Sequence, residues 1–246
     1  MNWILIAAAW TLLCVQGATA QTIPPSRGFV VVNGGFQLTA NDFSDSATKR
    51  ENAEDGSLNT AYVVQKGPAF DIAAGGIIKG RLAVGAGVSR FQVATPSSLT
   101  ASVPHPFFFN RPRTVSGTAS GLSREELAVH VHAGGTFPIG TRVQVMVFGG
   151  PSLFKVRQGL VTDFSYSDSY PYDDATFASA TTGTSNVSKI GFNGGGDLSF
   201  FFTRQIGLGV SAQFAGTTVE LPAAGGGTQE VKVGGLKAGG GLRLRF

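Results

Sequence analysis

Alternation with a period of two residues recurs along this sequence, and it constrains the fold more than any other feature. In residues 206–214 (IGLGVSAQF) one face carries Ile, Leu, Val, Ala and Phe, while the other carries only Gly, Ser and Gln. Residues 82–89 (LAVGAGVS) and 143–147 (VQVMV) repeat this arrangement. A β-strand alternates its side chains between two faces, whereas a helix repeats about every 3.6 residues. The pattern therefore predicts β-strands with two unlike faces.

These strands are predicted to belong to hairpins that recur along the chain. They begin at residues 82, 143 and 206, which are 61 and 63 residues apart. Each one follows an apolar segment and a tight polar turn, and the turns lie at residues 79–81, 138–141 and 203–205. Two strands joined by such a turn form a β-hairpin.

Completing the pattern predicts eight strands, joined alternately by short turns and long loops. The predicted strands are Gly28–Ala40, Pro68–Ile78, Leu82–Val93, Glu126–Phe137, Arg142–Lys155, Lys189–Phe202, Ile206–Val219 and Val231–Phe246. The predicted long loops are residues 41–67, 94–125, 156–188 and 220–230. Such loops are uncommon in compact soluble domains but typical of the extracellular side of outer-membrane barrels. We therefore predict an all-β fold, an eight-stranded antiparallel up-and-down transmembrane β-barrel.

The second face of the strands favours a barrel in lipid, because small and polar side chains suit the narrow lumen of an eight-stranded barrel. An antiparallel sheet in hydrocarbon must also close, since unpaired backbone groups are costly there. A soluble secreted barrel or sandwich is the alternative. The residues predicted to form a polar network in the lumen are Asp71, His130, His132, Arg142, Asp197, Lys237, Arg243 and Arg245.

The composition is unusual for a soluble domain. Glycine supplies 35 of 246 residues, about twice the usual ~7%, and charged residues are 14% against a usual ~25%. The net charge of +4 is scattered, without a Lys/Arg cluster of the kind that binds nucleic acid. Nucleic-acid binding is therefore not expected.

Residues 1–20 are predicted to be a cleaved signal peptide. An apolar run ends in the small-x-small pattern ATA, which places cleavage between Ala20 and Gln21, although no Lys or Arg precedes the run. Cys14 raises the alternative of a lipid-modified cysteine, but a bulky leucine precedes it where a small residue is expected. The mature chain, residues 21–246, is predicted to be a single outer-membrane β-barrel domain.

Several segments carry a resemblance to a known family. KGPAFDIAAGG, VPHPFFFNRPR, the repeated Gly-x-Gly strands and the final GGGLRLRF resemble the small outer-membrane β-barrel proteins of Gram-negative-type bacteria, the OmpA-like eight-stranded group. The resemblance implies that Leu242, Leu244 and Phe246 carry the signal that the barrel-assembly machinery recognises. It does not extend to the peptidoglycan-binding domain of full OmpA proteins, so tethering to the cell wall is not expected.

Four polar residues raise the question of catalysis. His130 and His132 are two residues apart on one predicted strand, and Asp197 and Ser199 are two apart on another. A Ser-His-Asp set or a metal pair would use such residues. An enzyme that modifies lipid needs its catalytic groups where lipid can reach them, whereas these four are predicted to face a packed lumen. We therefore expect a polar network, with no catalytic site, no metal and no cofactor.

Two predicted loops hold candidate surface features. Residues 163–177 (DFSYSDSYPYDDATF) combine Tyr and Asp, which could contact sugars or a cation, support adhesion, or anchor at the membrane interface. Their spacing does not match a calcium loop. Residues 104–113 (PHPFFFNRPR) place three Phe beside Arg, and a plug, a lipid-facing patch and a partner site all remain open.

These features together predict an exported integral protein of the outer membrane with a structural or surface-interaction role. The alternatives are a narrow pore for small solutes and a lipid-modifying enzyme. The expected partners are outer-membrane lipid and lipopolysaccharide, the barrel-assembly machinery during biogenesis, and an extracellular ligand that the sequence does not identify.

Overall fold

The computed structural model describes residues 27–246, so the predicted signal peptide and its cleavage site at Ala20 and Gln21 lie outside the described residues. Within that range, no helix is long and apolar enough to cross a membrane. The described residues form twelve strands: β1 (Gly28–Gln37), β2 (Phe43–Glu51), β3 (Glu54–Tyr62), β4 (Gly67–Lys79), β5 (Leu82–Ala94), β6 (Ser97–Val103), β7 (Arg113–Ala119), β8 (Ser123–Ile139), β9 (Val143–Asp168), β10 (Ala175–Phe201), β11 (Ile206–Pro222) and β12 (Thr228–Arg245).

Eight of these strands close into an antiparallel barrel. The order around the barrel is β1-β12-β11-β10-β9-β8-β5-β4, and β4 pairs with β1 again. The seam between the first and last strands runs from Phe29 opposite Arg245 to Gln37 opposite Lys237. Each of the eight predicted strands overlaps one barrel strand. The prediction of an eight-stranded up-and-down barrel is therefore confirmed.

Glycine lets the strands approach closely at this seam. A Cβ atom on Gly241 would lie 1.9 Å from the carbonyl oxygen of Val32, and one on Gly35 would lie 2.2 Å from that of Ala238. A side chain at either position would push β12 away from β1, and this accounts for the glycine-rich sequence of both strands.

The outer wall of the barrel is apolar. On β11, Leu208 and Val210 are 51% and 59% exposed, whereas Gln213, three residues after Val210 and on the opposite face, is buried. Side chains of alternating residues point to opposite faces of a strand, so the same division extends around the barrel. The outward apolar side chains include Phe36, Phe70, Ile72, Val84, Val88, Val129, Val131, Val147, Leu153, Ile190, Phe192, Leu198, Phe214, Leu236 and Leu242. This wall is that of a transmembrane β-barrel.

The long connections are built largely from strands, so the prediction of long loops in these segments is wrong. Strands β2, β3, β6 and β7 form a second sheet, here called the outer sheet, in the order β2-β3-β6-β7. Residues 156–188 continue β9 and β10 as a long hairpin, and residues 220–230 continue β11 and β12 in the same way. The end of the barrel that carries these additions is called the outer end, and the opposite one the turn end.

The outer sheet folds because it packs against the β9–β10 hairpin. One face of the outer sheet presents Ser and Thr to solvent, and the other face is apolar. Its buried apolar residues are Leu58, Leu99, Ala101, Val103 and Val115, which lie against Phe164, Tyr166, Ala175, Phe177 and Ala180. The outer sheet and this hairpin together form the outer platform.

Candidate functional site

The inward face of the barrel carries a buried ion pair near the turn end. Arg243 on β12 donates from Nε and Nη2 to Asp197 on β10, at 3.0 and 2.5 Å from Oδ2. Ser199 donates to the other carboxylate oxygen of Asp197 at 2.5 Å. The side chains of Arg243 and Asp197 are 2% and 8% exposed. This charge-assisted pair joins β12 to β10 across the inward face of β11.

A chain of hydrogen bonds crosses the lumen further towards the outer end. Lys237 donates from Nζ to Oγ of Ser89 at 2.9 Å, and Ser89 Oγ lies 2.9 Å from Nε2 of His130. The other ring nitrogen of His130 lies 2.7 Å from Oγ of Ser152, which accepts from Asn193 Nδ2 at 2.9 Å. Four barrel strands besides β8 are thereby connected through one imidazole.

His132 and Asp71 lie beside this chain. The ring of His132 stacks against that of His130, with centroids 5.8 Å apart. Asp71 is half-buried and accepts from Asn33 Nδ2 at 3.0 Å. A cavity of about 30 Å³ is lined by Asp71, His132 and Asp197, and it lies between the hydrogen-bond chain of His130 and the Asp197–Arg243 ion pair. Such a volume holds about one water molecule.

Two of the predicted network residues lie elsewhere. Arg142 is in the exposed turn between β8 and β9, outside the lumen, so its predicted interior position is wrong. Arg245 is half-buried at the turn end, where its guanidinium lies 3.9 Å from the ring centroid of Phe201 and Nε donates to the Arg204 carbonyl at 2.7 Å. Parity along a strand gives the face of a residue but not its height in the barrel, and both residues are at the end.

A second buried ion pair was missed by the sequence analysis. Arg124 donates from Nε to Glu126 at 2.7 Å, and both side chains are almost fully buried. Arg124 also donates to the carbonyl of Lys232 at 2.6 Å, and Glu126 accepts from the main-chain N–H of Gly234 at 2.9 Å. Both residues share the parity of His130. Glu126 lies within the predicted strand Glu126–Phe137, and extending that strand by two residues would have included Arg124.

Apolar side chains close the lumen above this pair. Tyr62 at the end of β3 is buried there, and its hydroxyl accepts from the main-chain N–H of Val161 at 2.9 Å. Burial raises the pKa of the Tyr62 hydroxyl above its usual range. The rest of this cluster comprises Ala119, Leu122, Ala128, Phe154, Val156, Leu160, Val161, Ala215, Val219, Leu221, Val231 and Val233. The outer sheet is thus joined to the barrel through an apolar seal.

An exposed aromatic cluster stands at the far end of the outer platform. Phe107, Phe108 and Phe109, between β6 and β7, are 68%, 53% and 69% exposed. Tyr172, from the β9–β10 turn, meets Phe107 edge to face with centroids 5.4 Å apart, and Tyr170 lies 6.3 Å from Tyr172. These five residues are called the aromatic tip.

Two buried basic residues hold the aromatic tip in place. His105 accepts at Nδ1 from the main-chain N–H groups of Phe107 and Phe108, at 3.1 and 3.2 Å. Arg113 donates to Asp168 at 2.6 Å and to the carbonyl oxygens of Tyr172 and Pro104 at 3.3 and 3.1 Å. The exposed rings are therefore presented on a backbone that is fixed by side-chain hydrogen bonds.

Two further contacts fasten the outer sheet to the hairpin and shift the pKa values of their groups. Partial burial works to raise the pKa of Asp163, but hydrogen bonds from Phe164 N–H and Lys49 outweigh it and lower that pKa. Burial, followed by the hydrogen bond to the Glu51 carboxylate, raises the pKa of Tyr166 to about 12. Both groups keep their ordinary charge states at neutral pH.

The buried polar groups of the lumen can orient one another but cannot reach lipid. Ser89, His130 and Asp197 are all buried behind the wall of the barrel. Among residues 27–246, no group of three or more His, Cys, Asp or Glu side chains is arranged to hold a metal ion. Leu242 on β12 and Phe246 directly after it face outward, and Leu244 on β12 is half-buried. The role of these three residues in assembly stays a prediction.

Neither a protein-family model nor a curated protein sequence matches this chain. Solved structures similar to it include Neisserial surface protein A, at 14% identity over 89% of this chain and 97% of that chain, with a TM-score of 0.45. Ail of Yersinia pestis, in complex with the heparin analogue sucrose octasulfate, is 14% identical over 89% and 99% of the two chains, with a TM-score of 0.36. The outer membrane protease OmpT of Escherichia coli is 7% identical over 93% and 100%, with a TM-score of 0.49. The fold assignment rests on the strand pairing within this chain. The identities and TM-scores of these structures carry no conclusion about the activity of this chain.

Proposed function

We propose that this chain is an integral outer-membrane protein with a structural and surface-interaction role and no catalytic activity. The observation that carries the proposal is a closed barrel with an apolar outer wall and a filled lumen, which supports a rigid outer platform with an exposed aromatic tip. The wall bears on the location of the protein, the lumen on a pore or an enzyme, and the aromatic tip on binding at the surface.

The apolar outer wall supports a location in a bilayer. Its strands present rows of Val, Leu, Ile and Phe outward, while Lys237, Arg243 and Asp197 are kept inside. A Lys or Arg that faces lipid near the midplane costs about 2–4 kcal/mol, so this division suits a membrane. The predicted signal peptide favours export, and closed barrels are the form in which β-sheets cross membranes.

The filled lumen argues against a pore. His130 and Phe154 are 1% and 0% exposed, although both point into the barrel. The Asp197–Arg243 pair, the His130 chain and the Tyr62 cluster follow one another along the barrel axis. Water and solutes would have to displace buried ion pairs and apolar packing, which favours a barrel that does not conduct.

Burial also argues against an enzyme on this scaffold. Lys237, Ser89 and His130 have a spacing that a nucleophilic serine could use, but all three are less than 10% exposed. A lipid substrate on the outer wall does not reach them. Polar residues that satisfy one another inside a barrel are better explained as a network that stabilises it.

The aromatic tip supports the surface-interaction role. Monomeric proteins seldom expose several adjoining aromatic rings, and such patches mark interaction sites. Here the rings are also held by His105 and Arg113, so little conformational entropy is lost on binding.

This role can be tested with bacteria that express the chain. We expect the triple substitution Phe107→Ser, Phe108→Ser and Phe109→Ser to reduce cell–cell sedimentation and attachment to polystyrene to the level of non-expressing cells. The matched control is Asn59→Ala with Thr100→Ala, a cross-strand pair on the exposed face of the outer sheet, and it should attach normally. Normal attachment by the triple variant, at an unchanged amount of surface protein, would contradict the proposal.

A further inference from the structure

Among the described residues, every charged side chain at the turn end of the barrel is basic. They are Arg27 before β1, Lys79 at the end of β4, Arg81 in the β4–β5 turn, Arg142 in the β8–β9 turn, Arg204 in the β10–β11 turn, and Arg245 at the end of β12. Residues 27–30, 75–83, 138–143, 202–206 and 244–246 contain no Asp or Glu. These six side chains are called the basic rim, and none of them forms an ion pair within the described part of the chain.

Backbone hydrogen bonds hold the basic rim around the whole circumference. The carbonyl oxygens of Arg27, Arg81 and Arg142 accept from Ile77, Thr136 and Phe201 of the neighbouring strands, at 2.7, 2.8 and 2.8 Å. The N–H of Arg245 donates to the carbonyl of Gln205 at 2.9 Å. The turns are therefore tied to the neighbouring strands, and the basic residues are distributed around the whole ring.

Apolar side chains adjoin the basic rim on its outer side. Ile78, Ile139 and Phe202 are each more than half exposed, and each lies within three residues of a basic residue of the rim. Leu82, Phe137, Ile206 and Phe246 extend this band around the barrel. The basic rim thus lies where the apolar wall ends, which is the level of lipid headgroups for a barrel in a bilayer.

The outer platform has the opposite charge, so the basic rim does not simply follow from composition. Residues 43–62, 97–119 and 156–188 contain eight Asp and Glu but five Lys and Arg. The chain as a whole has a net charge of +4. Positive charge is therefore concentrated away from the platform.

We infer that the basic rim binds the anionic headgroups of phospholipids in the leaflet that surrounds the turn end. This inference rests on the proposed location in a bilayer. A ring of separated cations at the edge of an apolar wall matches an annulus of lipid molecules, which meets every side of the barrel. A linear anionic polymer such as a peptidoglycan strand would meet only one side, and so fits the arrangement less well.

The test uses the purified chain in phosphatidylcholine vesicles with spin-labelled lipid probes. The ratio of bound to free probe is compared for labelled phosphatidylglycerol and labelled phosphatidylcholine. Each Lys or Arg near the membrane surface is attracted to anionic lipid. We therefore expect roughly a two- to fivefold preference for phosphatidylglycerol. The preference should decrease in 1 M salt, because salt screens exposed charges.

Two triple variants that remove the same positive charge show which end of the protein causes the lipid preference. Arg81→Gln, Arg142→Gln and Arg204→Gln together should remove most of the preference, because they remove half of the basic rim without touching its backbone hydrogen bonds. Lys49→Gln, Arg50→Gln and Arg111→Gln together remove the same charge from the outer platform and should leave the preference unchanged.

The outcomes separate this inference from the proposed function. Equal binding of the two probes to an inserted chain would overturn the inference and leave the membrane location intact. A chain that shows no lipid preference, but binds peptidoglycan sacculi, would also overturn the inference and leave the membrane location intact. In that case the rim variant should lose the binding to sacculi. Failure of the chain to float with vesicles would overturn both proposals, and flotation is measured before any probe is added.

Discussion

At the scale of single residues, the Asp197–Arg243 pair carries the clearest prediction. Both groups are buried, so loss of one carboxylate leaves a guanidinium without its counter-charge. We expect Asp197→Asn to lower the free energy of unfolding by about 3–5 kcal/mol. The measurement is the fraction of folded protein against urea in vesicles, read from the folded band in an unheated gel.

A surface ion pair provides the control for that substitution. Arg90 and Glu125 lie 2.7 Å apart near the outer end of β5 and β8, with side chains 57% and 32% exposed. An exposed pair contributes about 0–1 kcal/mol, so Glu125→Gln should be nearly neutral. Adding Arg243→Gln to Asp197→Asn should recover part of the lost stability. If Asp197→Asn is as mild as Glu125→Gln, the buried pair does not stabilise the barrel as we argue.

At the scale of secondary-structure elements, β12 carries the prediction about assembly. The phenyl ring of Phe246 faces outward and covers Gly28, where a Cβ atom would lie 2.4 Å from the ring. Its main chain exchanges hydrogen bonds of 3.0 and 2.8 Å with Gly28. Deletion of Phe246 would remove both the ring and these bonds, whereas Phe246→Ala removes the ring alone.

We expect both changes to slow assembly in cells far more than they destabilise the folded barrel. The measurement is the rate at which the heat-modifiable folded form appears after pulse labelling. Leu236→Ala, an outward residue on the same strand, is the control and should assemble normally. Assembly of Phe246→Ala at the normal rate and yield would show that the ring is only an interfacial aromatic residue.

At the scale of the whole molecule, the closed and filled barrel predicts how the protein behaves in membranes. The chain should fractionate with the outer membrane, and the unheated protein should migrate differently from the heated one in a detergent gel. In a planar bilayer we expect no steady conductance, because ion pairs and the Tyr62 cluster occupy the lumen. A stable open channel would contradict the filled lumen, and a soluble fraction would contradict the membrane location.

The sequence predicted the barrel well because alternation acts over short distances. Whether Leu208 and Gln213 face lipid or lumen follows from counting along one strand, and the structure places both as predicted. The same counting placed His130, Asp197 and Arg243 inside. It misplaced Arg142, because parity does not say where a strand ends.

The outer sheet could not be predicted in the same way. Leu58, Leu99 and Val115 are weak apolar signals among Ser and Thr, and they form a core only because Phe164 and Phe177 cover them. These contacts join residues far apart in the chain. Residues 98–103 (SLTASV) do alternate between polar and apolar side chains, but over six residues only, within a segment that is predicted to be a loop.

The sequence by itself therefore determined the class of fold, the number of barrel strands and the face on which each side chain lies, since these follow from backbone geometry with a period of two. The tertiary structure alone decided which side chains meet at each height of the lumen, that the connections fold into a platform, and that six separated basic residues form one rim. Filling depends on the sizes and pairings of side chains from several strands at one height. The register between strands sets those heights, and long-range packing rather than local pattern determines that register.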